Sequence, residues 1–308
     1  MKHPLVGFIF LDQPHTEYSG IAHHLAVHGL ESRLISLNRS GDIHWDQYGL
    51  INVRECRGYH CDSDFLAKIE ALAEQLGTVS IVNSLPVIRA ALDKSNYLRG
   101  LEQDGVGLIP TLWAERGENM TIEEVFQRTG WHDCVVKPAI SSKSWNTYRI
   151  SRNWKGIEIR TAESNPSFLS AVEFRDLLEG LLRSHTVCFQ QFMPEIVTHG
   201  ELSFIFIDDL FSHAVRKTVA RNSWIAHECF GGTNAYYEAS PSEIRWARDI
   251  HSRLLQKYGG FLYARIDGIP DGKRLRLLEC ELVVPRLFLA EGRAFENYAL
   301  AIKKRVFA

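Results

Sequence analysis

The segment LYARIDGIPDGKRLRLLECEL, residues 262 to 282, reads as two strands facing each other across a turn, with Arg265, Asp267, Glu279 and Glu281 at alternate positions. A strand has a side-chain period of two, so Arg265 and Asp267 share one face of their strand, and Glu279 and Glu281 share one face of theirs. Direct cross-strand partners also share a face. A two-residue turn at Asp271 and Gly272 would pair Asp267 with Arg276 and throw the acids onto opposite faces, whereas an odd-membered loop such as Asp271 to Lys273 brings all four together.

Carboxylates gathered in this way repel one another unless a cation sits among them, and hard oxygen ligands beside an arginine suit Mg²⁺ holding a phosphate. An exposed, salt-bridged hairpin would carry the same pattern, so the rest of the chain decides between the two.

With 308 residues and 45% hydrophobic content, the chain can bury a large core spread over two or three domains. A net charge of −2 without a long basic block gives no electrostatic reason for a nucleic-acid or membrane partner, which leaves small molecules as the expected ligands. The N-terminal run LVGFIFL ends early at Asp12 with no small-residue cleavage site after it, and reads as a first β-strand. No apolar run is long enough to span a bilayer, and the six cysteines lie scattered without paired spacing, so a cytoplasmic setting is expected. Cys56, His60 and Cys61 have no second cluster to complete a zinc tetrahedron.

From Val6 to Asn83 the pattern is strand, helix, strand, strand, helix, strand, as in a small open-sheet α/β domain. His15, His23, His24 and His28 crowd the first helix and its approach and are read as solvated surface, since adjacent helical residues do not face each other. Pro86 opens a helical stretch, and Asp93 caps a second one, KSNYLRGLEQDG, which stops at Gly105 or Gly107. The middle of the chain reads as an α+β unit: a helix opened by the capping box Thr121 to Glu124, the strand DCVVKP, a polar loop, the strand NTYRI, a helix near Phe174 to Arg183, and the strand TVCFQQF. Beyond Pro194 come a hairpin turning at Asp208 and Asp209, a long irregular stretch, a helix from Pro241 to Tyr258, the acidic hairpin and a last helix from Phe295.

Taken in order, DKSNYL, CVVKPAISSKSWNT, VCFQQFMPEI, HGELSFIF, HAVRK, YARID and LLECELVVP resemble the nucleotide-site motifs of the ATP-grasp superfamily, in particular amide-forming ligases related to the cycloserine-pathway cyclo-ligase and glutathione synthetase. The resemblance runs from Lys94 to Pro285 and extends in architecture to the N-terminal domain. It implies an ATP-grasp fold in three parts: an N-terminal α/β domain over 1–93, a central lid domain over 94–189 and a C-terminal domain over 190–308, with ATP held between the latter two.

Residue by residue, the resemblance assigns Lys94 and Lys137 to phosphate oxygens, and Lys137 closes an apolar strand that fixes its charge in place. In VCFQQFMPEI the strand turns polar and is stopped by proline, leaving the backbone of Gln191 to Met193 free for an adenine edge. Gln190 would meet the exocyclic amine, Phe192 and Met193 would wall the base, and Glu195 or Glu201 would take the ribose hydroxyls. Lys217 would reach the terminal phosphates while its neighbour Arg216 packs outside. Asp267, Glu279 and Glu281 are the implied ligands of two Mg²⁺ ions, and Arg265 would steady the transferred phosphoryl group and the oxyanion formed afterwards.

The chain departs from the pattern in three places. The loop AISSKSWNT after Lys137 has no glycine, although backbone amides must approach phosphate closely there, so serines such as Ser142 take that part and Lys143 and Trp145 cover the site. Where relatives carry an arginine before the glycine pair, this chain has Trp224, Ile225 and Ala226. Val284 precedes Pro285 where an acidic residue is common, and Arg286 follows.

The resulting expectation is a ligase that joins a small-molecule carboxylate to an amine through an acyl phosphate, with Arg221, Trp224, His227 and Arg286 as substrate contacts and no covalent enzyme nucleophile. Rival readings are a phosphotransferase on the same fold and a nucleotide-binding protein without turnover. By resemblance, the small N-terminal sheet joins two subunits into a homodimer.

Overall fold

The computed structural model describes residues 4–39, 43–154, 156–162, 168–290 and 293–308, which form three sheets with helices packed around them. The first sheet consists of β1 (Leu5–Phe10), β2 (Ser32–Ser36), β3 (Tyr48–Glu55) and β4 (Ser80–Val82), all parallel and in the order β2-β1-β3-β4. Its apolar strands are covered by α1 (Tyr18–Val27) and α2 (Phe65–Leu76), as a parallel sheet requires. The helix α3 (Leu85–Leu92) leads directly into α4 (Lys94–Gln103), whose N-cap Asp93 accepts from the Ser95 N–H at 2.8 Å.

The second sheet is antiparallel and runs β5-β10-β6-β7-β8-β9, made of β5 (Thr111–Ala114), β6 (Asp133–Pro138), β7 (Tyr148–Asn153), β8 (Gly156–Thr161), β9 (Phe168–Leu169) and β10 (Val187–Gln191). One face is packed by α5 (Ile122–Thr129), with the expected Thr121/Glu124 capping box, and by α6 (Ala171–Ser184). In β6 this burial takes Cys134 and Val136, so Val135 and Lys137 turn the other way. The strand β10 runs straight through position 189/190, where the sequence suggested a domain boundary. A single-turn helix, α7 (Glu195–Thr198), links this sheet to the third.

The third sheet, β13-β12-β11-β14-β15, comprises β11 (Glu201–Ile207), β12 (Leu210–Thr218), β13 (Thr233–Tyr237), β14 (Tyr263–Asp271) and β15 (Arg274–Glu281). β13 lies in the stretch read from sequence as irregular. α8 (Pro241–Tyr258) covers one face through Ala247, Ile250 and Leu254. α9 (Ala294–Val306) packs Tyr298, Ala299 and Ile302 into a core shared by the first and third sheets. Asn83 joins those sheets as well, donating to the carbonyls of Tyr263 and Leu282 at 2.9 and 2.7 Å and accepting from the Leu262 N–H at 2.8 Å. Among the described residues no helix is long and apolar enough to cross a membrane.

Candidate active site

A cleft of about 330 Å³ opens between the second and third sheets, with loops of the first sheet forming part of its wall. Among the described residues, seven cationic side chains (Arg57, Lys94, Lys137, Lys143, Lys217, Arg265 and Arg286) line it against four carboxylates (Glu201, Glu228, Glu279 and Glu281), a surplus that suits a polyanion. Ile109, Val135, Phe192, Ile196, Ile269 and Leu278 supply an apolar lining.

The acidic hairpin does bring Arg265, Asp267, Glu279 and Glu281 onto one face, but by a different device from the odd-membered loop. Asp271 pairs with Arg274, so the turn has two residues, Gly272 and Lys273. The register then shifts: Gly268 pairs with Leu277 and Asp267 with Glu279, leaving Leu278 as a β-bulge. The extra residue corrects the parity. It lets Leu277 and Cys280 both face the α8 core while Leu278, Glu279 and Glu281 face the cleft.

Across the sheet the same face continues through Ser203, opposite Asp267, and Glu201, opposite Lys217. Gly200 makes the last pairing possible. It has φ +77°, and a Cβ there would lie 2.4 Å from the Lys217 carbonyl oxygen.

Asp267 is fully buried and saturated. Its Oδ1 accepts from Ser203 Oγ at 2.6 Å and its Oδ2 from Arg265 Nη2 at 2.7 Å and Lys217 Nζ at 3.3 Å. Burial alone would raise its pKa, but Arg265 and Lys217 hold it below the usual carboxylate range. Lys217 also pairs with Glu201, which burial pushes up to about 8 against the pull of that lysine. Arg265 Nη2 lies 3.9 Å from Glu279 and 3.7 Å from Glu281, and the Lys94 ammonium lies 3.8 Å from Glu279. Burial opposes ionisation of Glu279, yet Lys94 and Lys137 keep it below the ordinary value, while Glu281 is raised by burial.

Arg265 is therefore the cation among the three acids. Among the described residues no three His, Cys, Asp or Glu side chains converge tightly enough to cage a metal by themselves. Glu279 and Glu281 are partly accessible oxygen donors on the cleft wall and fit a hard divalent cation. Asp267 does not line the cleft, and its oxygens are taken by the basic side chains.

The remaining expected residues divide. Lys94 is buried, donates to the Ser141 carbonyl at 2.7 Å and lines the cleft with Lys137, Ser142, Gln190, Gln191, Phe192 and Met193. The peptide groups expected to be free are partly used by the fold: the Gln191 N–H donates to Pro110 at 2.9 Å and the Phe192 N–H to Asp133 at 3.1 Å. Among the described residues the Met193 N–H takes no such partner. Phe192 already carries the Arg149 guanidinium 3.6 Å from its ring centroid. Glu201 lines the cleft and Glu195 does not. Trp224, His227 and Arg286 line it, whereas Arg221 is exposed and outside. Arg216 packs outside as expected, over the Tyr237 ring at 4.4 Å.

The glycine-free loop takes the backbone shape that glycine would favour. Lys143, Ser144 and Asn146 have φ of 52°, 57° and 48°, and Ser141 to Ser144 line the cleft. Trp145 wedges between His60 and His185, with ring centroids 5.4 and 5.6 Å away, and Ser142 Oγ lies 2.7 Å from His60 Nδ1. His60 stays neutral to low pH, lowered to about 4 by burial and by Lys143 and Lys94.

Sequence reasoning did not single out Arg57, Tyr59 or Thr16, and it placed His15 on the solvated surface. All four line the cleft.

No family model matches the chain. Over 181 residues it is 24% identical to the cycloserine biosynthesis protein DcsG of Streptomyces lavendulae, a match that spans 58% of this chain and about half, 54%, of that protein. The crystal structure of D-cycloserine synthetase DcsG superposes with a TM-score of 0.78 at 20% identity, covering 98% of this chain and 99% of the other. D-alanine–D-alanine ligase from Bacillus anthracis, solved with ATP, gives 0.63 at 13% identity over 98% and 97% of the two chains. The ATP-grasp ligase PsnB, solved with a phosphomimetic variant of its minimal precursor, Mg and ADP, gives 0.63 at 15% identity over 99% and 100%. The chain has the ATP-grasp fold.

Proposed function

We propose that the protein is an ATP-dependent, ADP-forming ligase that joins a carboxylate to an amine through an acyl phosphate, acting on amino-acid-like substrates in the biosynthesis of a small peptide or specialised metabolite. One observation carries this reading: Arg265, locked by Asp267, reaches the cleft beside Lys217 with Glu279 and Glu281 within 4 Å of its guanidinium. The architecture shared with DcsG, D-alanine–D-alanine ligase and PsnB supports it.

In this reading Lys94 and Lys137 hold phosphate oxygens as buried or strand-anchored point charges. Phe192, Met193, Ile269 and Leu278 enclose the base, and Gln190 with the Met193 N–H reads its polar edge. Glu201 takes the ribose. Glu279 and Glu281 would hold Mg²⁺, which when bound neutralises charge on the phosphate oxygens. Asp267, buried behind them, would hold Lys217 and Arg265 toward the nucleotide and substrate oxygens. Arg265 then faces the phosphoryl group and the oxyanion left by attack on the acyl phosphate, where a preformed donor is most effective. Positioning and charge neutralisation suffice, so no side chain acts as a covalent nucleophile.

Two Mg²⁺ ions, a homodimer joined through the first sheet and a cytoplasmic setting belong to the same reading. The buried free thiols of Cys56, Cys134, Cys188 and Cys280 are in keeping with a reducing compartment.

The test is ADP release from Mg²⁺-ATP with pooled amino acids and small carboxylates, with mass spectrometry on the same samples, for wild type and Glu279→Gln. A product mass equal to two substrates less water, absent from the variant, is the expected result. A gain of one phosphoryl group points instead to a phosphotransferase, and nucleotide binding without ADP formation points to a protein without turnover.

A further inference from the structure

The order β2-β1-β3-β4 reverses direction at β1: the chain leaves β1 to one side to form β2, then returns to the other side for β3 and β4. In open parallel sheets such a reversal opens a crevice at the carboxyl ends of the two central strands, and ligands bind there. His15 follows β1 and Arg57 follows β3, so both sit at that crevice, and both line the cleft.

Each carries a buried polar atom that the fold leaves unused. His15 Nε2 and Arg57 Nε are buried without a hydrogen-bond partner, and among the described residues Arg57 has no ion pair within 4 Å. Orphaned buried polar groups are costly and demand an explanation. The acids of the neighbourhood are already engaged. Glu55 pairs with Arg54 and accepts from the His15 backbone N–H. Glu17 also pairs with Arg54 and accepts from the N–H groups of Leu287 and Leu289 at 3.2 and 2.8 Å. Arg54 closes the framework by donating to the Pro285 carbonyl at 3.0 Å. This buried cluster fixes the His15 loop, the end of β3 and the 285–289 segment relative to one another, and leaves Arg57 facing the cleft with only the longer-range charge of Glu55 behind it.

We propose that this crevice is a carboxylate-binding subsite anchored by Arg57 with His15 beside it, so that one substrate carries an anionic group besides the carboxylate that is activated. The naming of that group as part of a substrate rests on the ligase reading; the anion site itself does not. An arginine recognises a carboxylate by two parallel N–H donors, and burial of Nε makes that geometry directional. The nucleotide is assigned to the space between the second and third sheets, which leaves this crevice to the other reactants.

The probe is acetate, with acetamide as its uncharged counterpart, added at constant ionic strength to the full ¹⁵N-labelled chain with and without saturating Mg²⁺-AMPPNP. The Arg57 Nε–H resonance is assigned through Arg57→Lys. A saturable shift with acetate and none with acetamide, retained with nucleotide bound, is expected, and Arg57→Lys should weaken acetate binding, followed on the His15 ring, on the order of tenfold. Equal responses to acetate and acetamide, or displacement of acetate by the nucleotide, overturn the subsite. Failure to bind Mg²⁺-AMPPNP with the acetate shift intact removes the ligase reading and leaves the subsite standing.

Discussion

Glu279 stands directly opposite Asp267 because Leu278, between the paired Leu277 and Glu279, has no partner of its own. The bulge turns two consecutive side chains toward the cleft, one apolar and one acidic, a combination that a regular strand cannot present. It gives the two residues separable tasks. Leu278→Ala removes apolar wall and should weaken adenosine and ATP alike, by roughly fivefold for about 1 kcal/mol of lost burial. Glu279→Gln should leave adenosine binding unchanged and abolish the Mg²⁺-dependent gain in ATP affinity. Calorimetric titrations with and without Mg²⁺ distinguish the two patterns.

Asp267 is fully buried against Arg265 and Lys217, so its removal takes from Arg265 the carboxylate it hydrogen-bonds and from Lys217 one of its two acids. Asp267→Asn should cost about 3–5 kcal/mol of stability, whereas Ser203→Ala, which removes one hydrogen bond to the same carboxylate, should cost about 1 kcal/mol. Urea unfolding of both variants tests the ranking; equal effects would show that the carboxylate is not the centre of the network.

The loop from Ala139 to Thr147 lines the cleft without glycine, held by Trp145 between His60 and His185. Trp145→Ala should free the loop and speed nucleotide dissociation severalfold with little change in thermal stability. Stopped-flow release of a fluorescent ATP analogue measures this directly.

His251 lies flat on Phe206, ring centroids 4.2 Å apart, and burial lowers its pKa from 6.5 to about 4. Above pH 6.5 the ring is neutral in folded and unfolded chains and its titration contributes nothing. As pH falls from 6.5 toward 4, the unfolded chain takes up a proton that the folded one refuses, so stability declines. The loss should approach about 2 kcal/mol by pH 5 and be absent from His251→Phe. A constant difference between the two proteins across that range, followed by urea unfolding, would contradict the assignment.

Much of the site was legible where chemistry rides on periodicity. The alternation of Arg265, Asp267, Glu279 and Glu281 survives because a strand face is a local property, and Lys94, Lys137 and Lys217 sit at element ends that the patterning marks. The bulge was not legible. It satisfies Leu277 and Cys280 in the α8 core, a demand made by residues far away in the chain. The Gln191 and Phe192 N–H groups looked free because their acceptors, Pro110 and Asp133, lie some eighty and sixty residues upstream. Arg57 and His15 belong to loops with no period at all. Their one available signal was a charged residue just beyond an apolar strand of a parallel sheet, where ligands tend to bind.

In the proposed reaction a substrate carboxylate attacks the γ-phosphorus of ATP with loss of ADP, and the amine then displaces phosphate from the acyl phosphate. This sequence is tested most directly by turning over the substrates with an ¹⁸O-labelled carboxylate and reading the released inorganic phosphate by mass spectrometry. One ¹⁸O atom should be transferred to phosphate for each amide formed. Unlabelled phosphate, or label retained in a stable phosphorylated product, would contradict it.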